Sequence, residues 1–190
     1  LSVRQILAID LGTDLFPALA LGMEKPEPDV MKRPPRPRNQ PLLDRGLLWR
    51  AFWLGSLEAA LCFTGFIAVF IFSGHVHRLG LGYLAPLASL VNIRLDIPFE
   101  QAWILAATVY HAGVVTSQVG NALACRSDRT RSTSLGWLSN KALWGGILIE
   151  ILGIVSIIYI PALARLFLHA PLPGWMWIVL SSYALVLYSV

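Results

Sequence analysis

The chain has 190 residues, of which 56% are hydrophobic and only 14% charged, with seven Trp and a formal net charge of +4. An ordinary soluble domain carries about 25% charged residues, so the composition excludes that class and points to a polytopic membrane protein, an all-α bundle of transmembrane helices. The lipid bilayer is the expected surrounding, and no nucleic-acid partner is indicated.

Five apolar runs can cross roughly 30 Å of hydrocarbon at about 1.5 Å per residue. They cover 3–23, 47–73, 98–125, 142–160 and 174–190. The last is short and has no polar flank, and the chain starts at Leu1 with almost no leader, so both ends are expected to be cut from a longer polypeptide. The first run has neither a basic leader nor a small-residue cleavage site and does not read as a signal peptide.

Two basic loops orient these runs. Residues 24–46 carry Lys25, Lys32, Arg33, Arg36, Arg38 and Arg45, with Arg50 just beyond; residues 126–141 carry Arg126, Arg129, Arg131 and Lys141. The other side holds Arg4, Arg78, Arg94 and Arg165, so eleven of fifteen basic residues share one side, which is expected to be cytoplasmic. Most of the Trp residues fall near span ends, where indole rings favour the interface. The Pro-rich stretch from Glu24 to Arg38 predicts an extended, stiff strap rather than a helix, because each Pro fixes φ and removes a donor. Residues 74–98, with His75, His77, Gly80, Gly82 and Pro86, read as an irregular external loop. A metal on His75 and His77 would need further ligands that the loop does not obviously supply. Cys62 and Cys125 suggest neither a disulfide nor a metal clip.

The first run carries the chemistry. An Asp at the centre of a membrane helix costs roughly 2.5 to 3.5 kcal/mol, yet Asp10 and Asp14 lie four residues apart inside it. That spacing stacks both carboxylates on one helical face, and Thr13 adds a hydroxyl. Pro17 removes the donor for the Thr13 carbonyl, and Gly12 eases local unwinding. Carboxylates, a hydroxyl and a released carbonyl are hard oxygen ligands suited to Na+, K+, Ca2+ or a relayed proton. The alternative is that Asp10 caps a shorter helix and Asp14 sits in its first turn. Glu58 and Glu150, each inside an apolar run, are secondary candidates for ion contact or proton carriage, or structural acids bonded to a neighbouring helix. Gln118 and Asn121 share a face of the third run, as secondary ion contacts or interhelical hydrogen-bond donors.

The run Asp10-Leu-Gly-Thr-Asp14-Leu-Phe-Pro17, continuing through Pro26-Glu-Pro-Asp-Val-Met-Lys-Arg-Pro-Pro-Arg36, closely resembles the sixth transmembrane helix and following cytoplasmic loop of cation-transporting P-type ATPases. The remainder, including Val115-Thr-Ser-Gln-Val-Gly-Asn-Ala-Leu123, is similar to their seventh to tenth helices. The resemblance implies that Asp10 and Asp14, assisted by Thr13, bind the transported cation in alternation between two faces of the membrane. Asp at position 10 is more like the sodium/potassium branch, since calcium pumps of the reticulum type usually have Asn there. Asn121 stands where sodium pumps tend to carry an acid, Glu150 stands alone where they carry two, and Glu58 is an acid where a neutral residue is expected.

The sequence contains no Asp-Lys-Thr-Gly-Thr phosphorylation motif and no Thr-Gly-Glu loop. The segment is therefore expected to be inactive toward ATP by itself and to hold no cofactor. ATP and Mg2+ belong to the complete pump, on N-terminal catalytic domains of the same polypeptide. The expected setting is a plasma membrane or a bacterial inner membrane. A gradient-driven transporter or channel segment, or an accessory membrane scaffold, remain the alternatives.

Overall fold

A computed structural model of the chain describes residues 2–26, 30–32, 34–35, 41, 43–91, 93–127 and 136–190. The described residues are all-α. The first apolar stretch is a composite helix: α1 (Val3–Leu7), a π-helical turn (Ala8–Thr13) and α2 (Leu15–Leu21). Ser2 and Gln5 form a reciprocal capping box at its start, so the helix begins well before Asp10 and the alternative of Asp10 as a cap does not hold.

Asp44 caps α3 (Arg45–Phe72) by accepting from the Leu47 amide at 2.8 Å. At 28 residues α3 is about 42 Å long, enough to span a bilayer with margin. The loop that follows α3 is more ordered than its composition predicts, with 3₁₀ turns at Val76–Leu79 and Gly82–Leu84 and the short helix α4 (Leu87–Val91). Burial of Val76 and the bond from the Leu95 amide to the Phe72 carbonyl (2.9 Å) fold it back onto α3. The Pro-rich strap likewise contains one 3₁₀ turn, Val30–Lys32, because those three residues include no proline. Arg33, Arg36 and Arg38 of that strap, and Arg129 and Arg131 of the second basic loop, lie outside the described residues.

The central helix is α5 (Phe99–Ala124), which packs against α3, against α6 (Lys141–Tyr159) and most extensively against α8 (Gly174–Ser189). Ala102, Ala106, Ala112 and Val115 of α5 are fully buried, and small side chains there let the neighbouring helices approach. α6 stops where Ile160 turns extended ahead of Pro161, which opens α7 (Pro161–Phe167) at its first position. Along α6 the polarity is inverted relative to a soluble helix: Leu148 and Leu152 are 57% and 56% exposed while Glu150 between them is fully buried. By length and composition α3 and α6 are each able to cross a membrane.

Candidate functional site

The distortion of the first helix lies over Ala8–Thr13, not at the proline. Its signature is the Asp14 amide bonding to the Ile9 carbonyl five residues back at 3.0 Å. The Thr13 hydroxyl lies 2.9 Å from the same Ile9 carbonyl and 3.3 Å from Asp14 Oδ1. Such back-bonding by a hydroxyl bends helices, and Gly12 beside it lowers the cost. Pro17 then falls in the first turn of α2, where it offers no N–H to the Thr13 carbonyl, and the Ala18 amide keeps its bond to the Asp14 carbonyl at 3.2 Å. Asp10 is exposed, whereas Asp14 is half-buried against the bundle.

Asp14 opens onto a cavity of about 290 Å³ lined also by Pro17, Gln118 and Asn121. From the far side α3 brings in Glu58, whose Oε2 accepts from Asn121 Nδ2 at 2.8 Å and whose Oε1 accepts from Gln118 Nε2 at 3.4 Å. Those bonds fix the amide of Asn121 so that its buried Oδ1 is left without a donor among the described residues. Glu150 enters from α6 with both carboxyl oxygens buried and unpartnered among the described residues.

Buried polar atoms without partners are uncommon, and each requires an explanation. Here three oxygen acceptors are orphaned on the helices that surround one half-buried carboxylate, which suits a cation or a proton arriving from elsewhere. Among the described residues no three of His, Cys, Asp or Glu converge tightly enough to chelate an ion, so amide, hydroxyl and backbone oxygens would have to complete any shell. His75 and His77 do not gather ligands either, since His75 Nε2 sits 2.9 Å from the Ile97 carbonyl as a loop tether.

Three residues at the far end of the first helix form a cluster that the sequence analysis did not anticipate. Arg126 donates through Nε and Nη2 to the two oxygens of Glu24 at 3.1 and 2.9 Å, a bidentate pair. The Arg126 guanidinium holds the Glu24 carboxyl below the usual carboxylate range. Asn140 caps α6 through the Leu143 amide at 3.0 Å while its Nδ2 donates to the Ala20 carbonyl and to Glu24, both at 2.9 Å. An Asn before an apolar run is a legible cap signal. Its second set of bonds, to residues more than a hundred positions away, is not.

The family model described as cation transporting ATPase, C-terminus, matches residues 1–190. The chain is 27% identical over 195 residues to the sodium/potassium-transporting ATPase subunit alpha-2 of Gallus gallus, covering 97% of the chain and 19% of that protein. It is 32% identical over 177 residues to a calcium-transporting ATPase of Bacillus subtilis (strain 168), covering 92% and 17%. It is 28% identical over 177 residues to the endoplasmic reticulum calcium ATPase srcA of Aspergillus fumigatus, covering 91% and 18%. The chain thus spans less than a fifth of the length of these relatives.

Proposed function

Since the chain belongs to the cation-transporting ATPase family, matched from end to end by the model of its C-terminal part, we propose that it is the ion-translocating membrane segment of an ATP-driven cation pump. In this reading it is an integral membrane segment that crosses the bilayer five times, with residues 24–46 and 126–141 on the cytoplasmic side of a plasma or bacterial inner membrane. ATP and Mg2+ act on catalytic domains of the same polypeptide, and the segment itself moves the cation.

Asp14 is the central ligand, and Asp10 and Thr13 belong to the same composite helix. Glu58, held by Gln118 and Asn121, supplies the carboxylate that sodium pumps carry at the position of Asn121. The acid has moved from one helix to its neighbour and stays bonded to Gln118 and Asn121, the two amides that line the cavity. Glu150 is the buried carboxyl behind them, as a secondary cation contact or proton carrier. The observation that carries this reading is the set of buried acceptors that lack donors among the described residues on the helices beside Asp14, namely both oxygens of Glu150 and Oδ1 of Asn121. A bilayer offers no water to satisfy them, so a transported Na+, K+, Ca2+ or H+ is the partner they fit.

A helix already widened to a π turn at the acids is a ready hinge, because changing one residue between π and α winding reorients a side chain without breaking the helix. Phosphorylation on the catalytic domains would move this helix and change the face from which Asp14 is reached. The test is Asp14→Asn in the complete pump, where loss of cation-stimulated ATP hydrolysis is expected. Unchanged cation-stimulated turnover would overturn the assignment.

A further inference from the structure

The outer linker between α6 and α8 does more than join two helices. The end of α7 leaves terminal carbonyls without intrahelical donors, and α1 captures three in succession. Arg4 Nη1 donates to the Leu166 carbonyl at 3.2 Å, and Gln5 Nε2 donates to those of Phe167 at 2.9 Å and Leu168 at 3.4 Å. Gln5 is 2% exposed, and its Oε1 accepts from the Ser2 amide at 2.7 Å, so both ends of its amide are committed. Leu168 holds a left-handed conformation, φ +54°, which a leucine adopts only under constraint from its surroundings.

The other flank of the linker is tied to α5. His169 Nδ1 donates to the Phe167 carbonyl at 2.8 Å, which leaves its Nε2 to accept from His111 Nδ1 at 2.8 Å, while the Ala170 amide donates to Thr108 Oγ1 at 3.0 Å. The linker therefore bridges α1 to the middle of the central helix. At the cytoplasmic end the same composite helix is tied through Ala20 and Glu24 to Asn140 and Arg126. Between the two ties lies the π turn with its acids.

We propose that the outer linker is a clamp that sets the winding of the π turn, with Gln5 as a positioning residue for Asp10 and Asp14. The inference rests on the cation-site reading above. With both ends held, the composite helix resists a shift along its axis until the catalytic domains drive one, so at rest the relative aim of the two carboxylates is set by where α1 is anchored. Freed from Phe167 and Leu168, α1 can rotate by up to one residue's angle, about 100°, as the π turn relaxes to α. The ligands then no longer meet the ion pre-arranged, and affinity falls while the chemistry on the distant catalytic domains is untouched.

The experiment is ATP hydrolysis by the complete pump in membranes, titrated in turn with Na+, K+ and Ca2+, for the parent protein, Gln5→Met, Thr108→Val and Asp14→Asn. Gln5→Met keeps the volume of the side chain and deletes only the amide. Thermal unfolding in detergent confirms that each variant is folded, and Thr108→Val reports on the opposite flank of the clamp if Gln5→Met does not fold. A clamp predicts that the half-saturating cation concentration rises by roughly three- to tenfold, the scale of one or two lost hydrogen bonds, with the maximal rate retained. Loss of maximal rate without a shift in half-saturation, or no change in either variant, overturns the clamp when Asp14→Asn abolishes cation dependence. An Asp14→Asn variant that keeps its cation dependence instead removes the site reading, and the clamp with it.

Discussion

Asn121 on α5 donates its amide to Glu58 on α3 at 2.8 Å, and this single contact joins two of the three positions at which the resemblance implies a departure from the sodium-pump pattern. An amide stands where an acid is expected, and an acid stands where a neutral residue is expected. Taken separately, each looks like the loss or gain of a ligand. Together they leave one carboxylate and one amide bonded to each other, with their helices exchanged.

This exchange predicts a rescue. Glu58→Gln removes the charge while preserving shape and should lower cation affinity of the complete pump by about tenfold or more, the scale of a hydrogen bond to a charged group. The double variant Glu58→Gln with Asn121→Asp restores one carboxylate and one amide in swapped places and should recover most of that loss. Cation titrations of ATP hydrolysis measure both. A double variant no better than the single one would show that the carboxylate must come from α3.

Much of this was legible before any coordinates. The apolar runs, the burial of acids at Glu58 and Glu150, and the shared face of Gln118 and Asn121 follow from hydropathy and helical period. The winding at Ala8–Thr13 was not, because a π turn depends on where the helix is anchored, and its anchors are the carbonyls of Phe167 and Leu168, which lie more than 160 residues away in the chain. Pro17 withholds an N–H from the Thr13 carbonyl as its place in the run implies, but the wide turn itself lies upstream of it, over Ala8–Thr13. The His111–His169 contact was equally hidden, since nothing in either local sequence indicates that a linker returns to mid-helix.

The Glu24–Arg126 pair predicts a defined pH dependence. Because Arg126 lowers the carboxyl of Glu24, the pair contributes stability above the unfolded-state value, and that contribution disappears as pH falls through the lower folded-state value. Glu24→Gln should cost about 1.5 to 3 kcal/mol near neutrality, the scale of hydrogen bonds to a charged group, since the Arg126 side chain is fully buried and that of Glu24 only 11% exposed. Melting temperatures in detergent from pH 7 down to pH 3 should show the parent and variant converging on acidification. Parallel curves would mean that the ion pair contributes nothing beyond its neutral hydrogen bonds.

Close helix packing gives a third expectation. A Cβ built on Gly120 overlaps the backbone of Ala184 on α8, and one built on Gly146 would lie 3.0 Å from the Phe16–Pro17 peptide of α2. Backbone cannot yield as a flexible side chain can. Gly120→Ala should therefore destabilise the bundle by about 1 to 3 kcal/mol, the usual cost of overpacking, despite the better helix propensity of Ala. Gly145→Ala, next to Gly146 but meeting nothing within 4 Å, is the control and should be neutral or slightly stabilising. Thermal unfolding of the two variants side by side distinguishes packing from propensity.

Leu168 offers the opposite sign. Its φ of +54° and ψ of +56° place a Cβ-bearing residue in the left-handed region, at a cost of about 1 to 2 kcal/mol that glycine would not incur. The leucine side chain is 56% exposed, so little packing is lost by removing it, while its carbonyl, the group that Gln5 uses, remains. Leu168→Gly should leave cation affinity unchanged. Its stability is expected to rise by somewhat less than the relieved strain, because glycine also gains freedom in the unfolded chain. If affinity fell together with stability, the linker would be acting through its rigidity rather than through the carbonyls offered to α1, because the variant alters only the former.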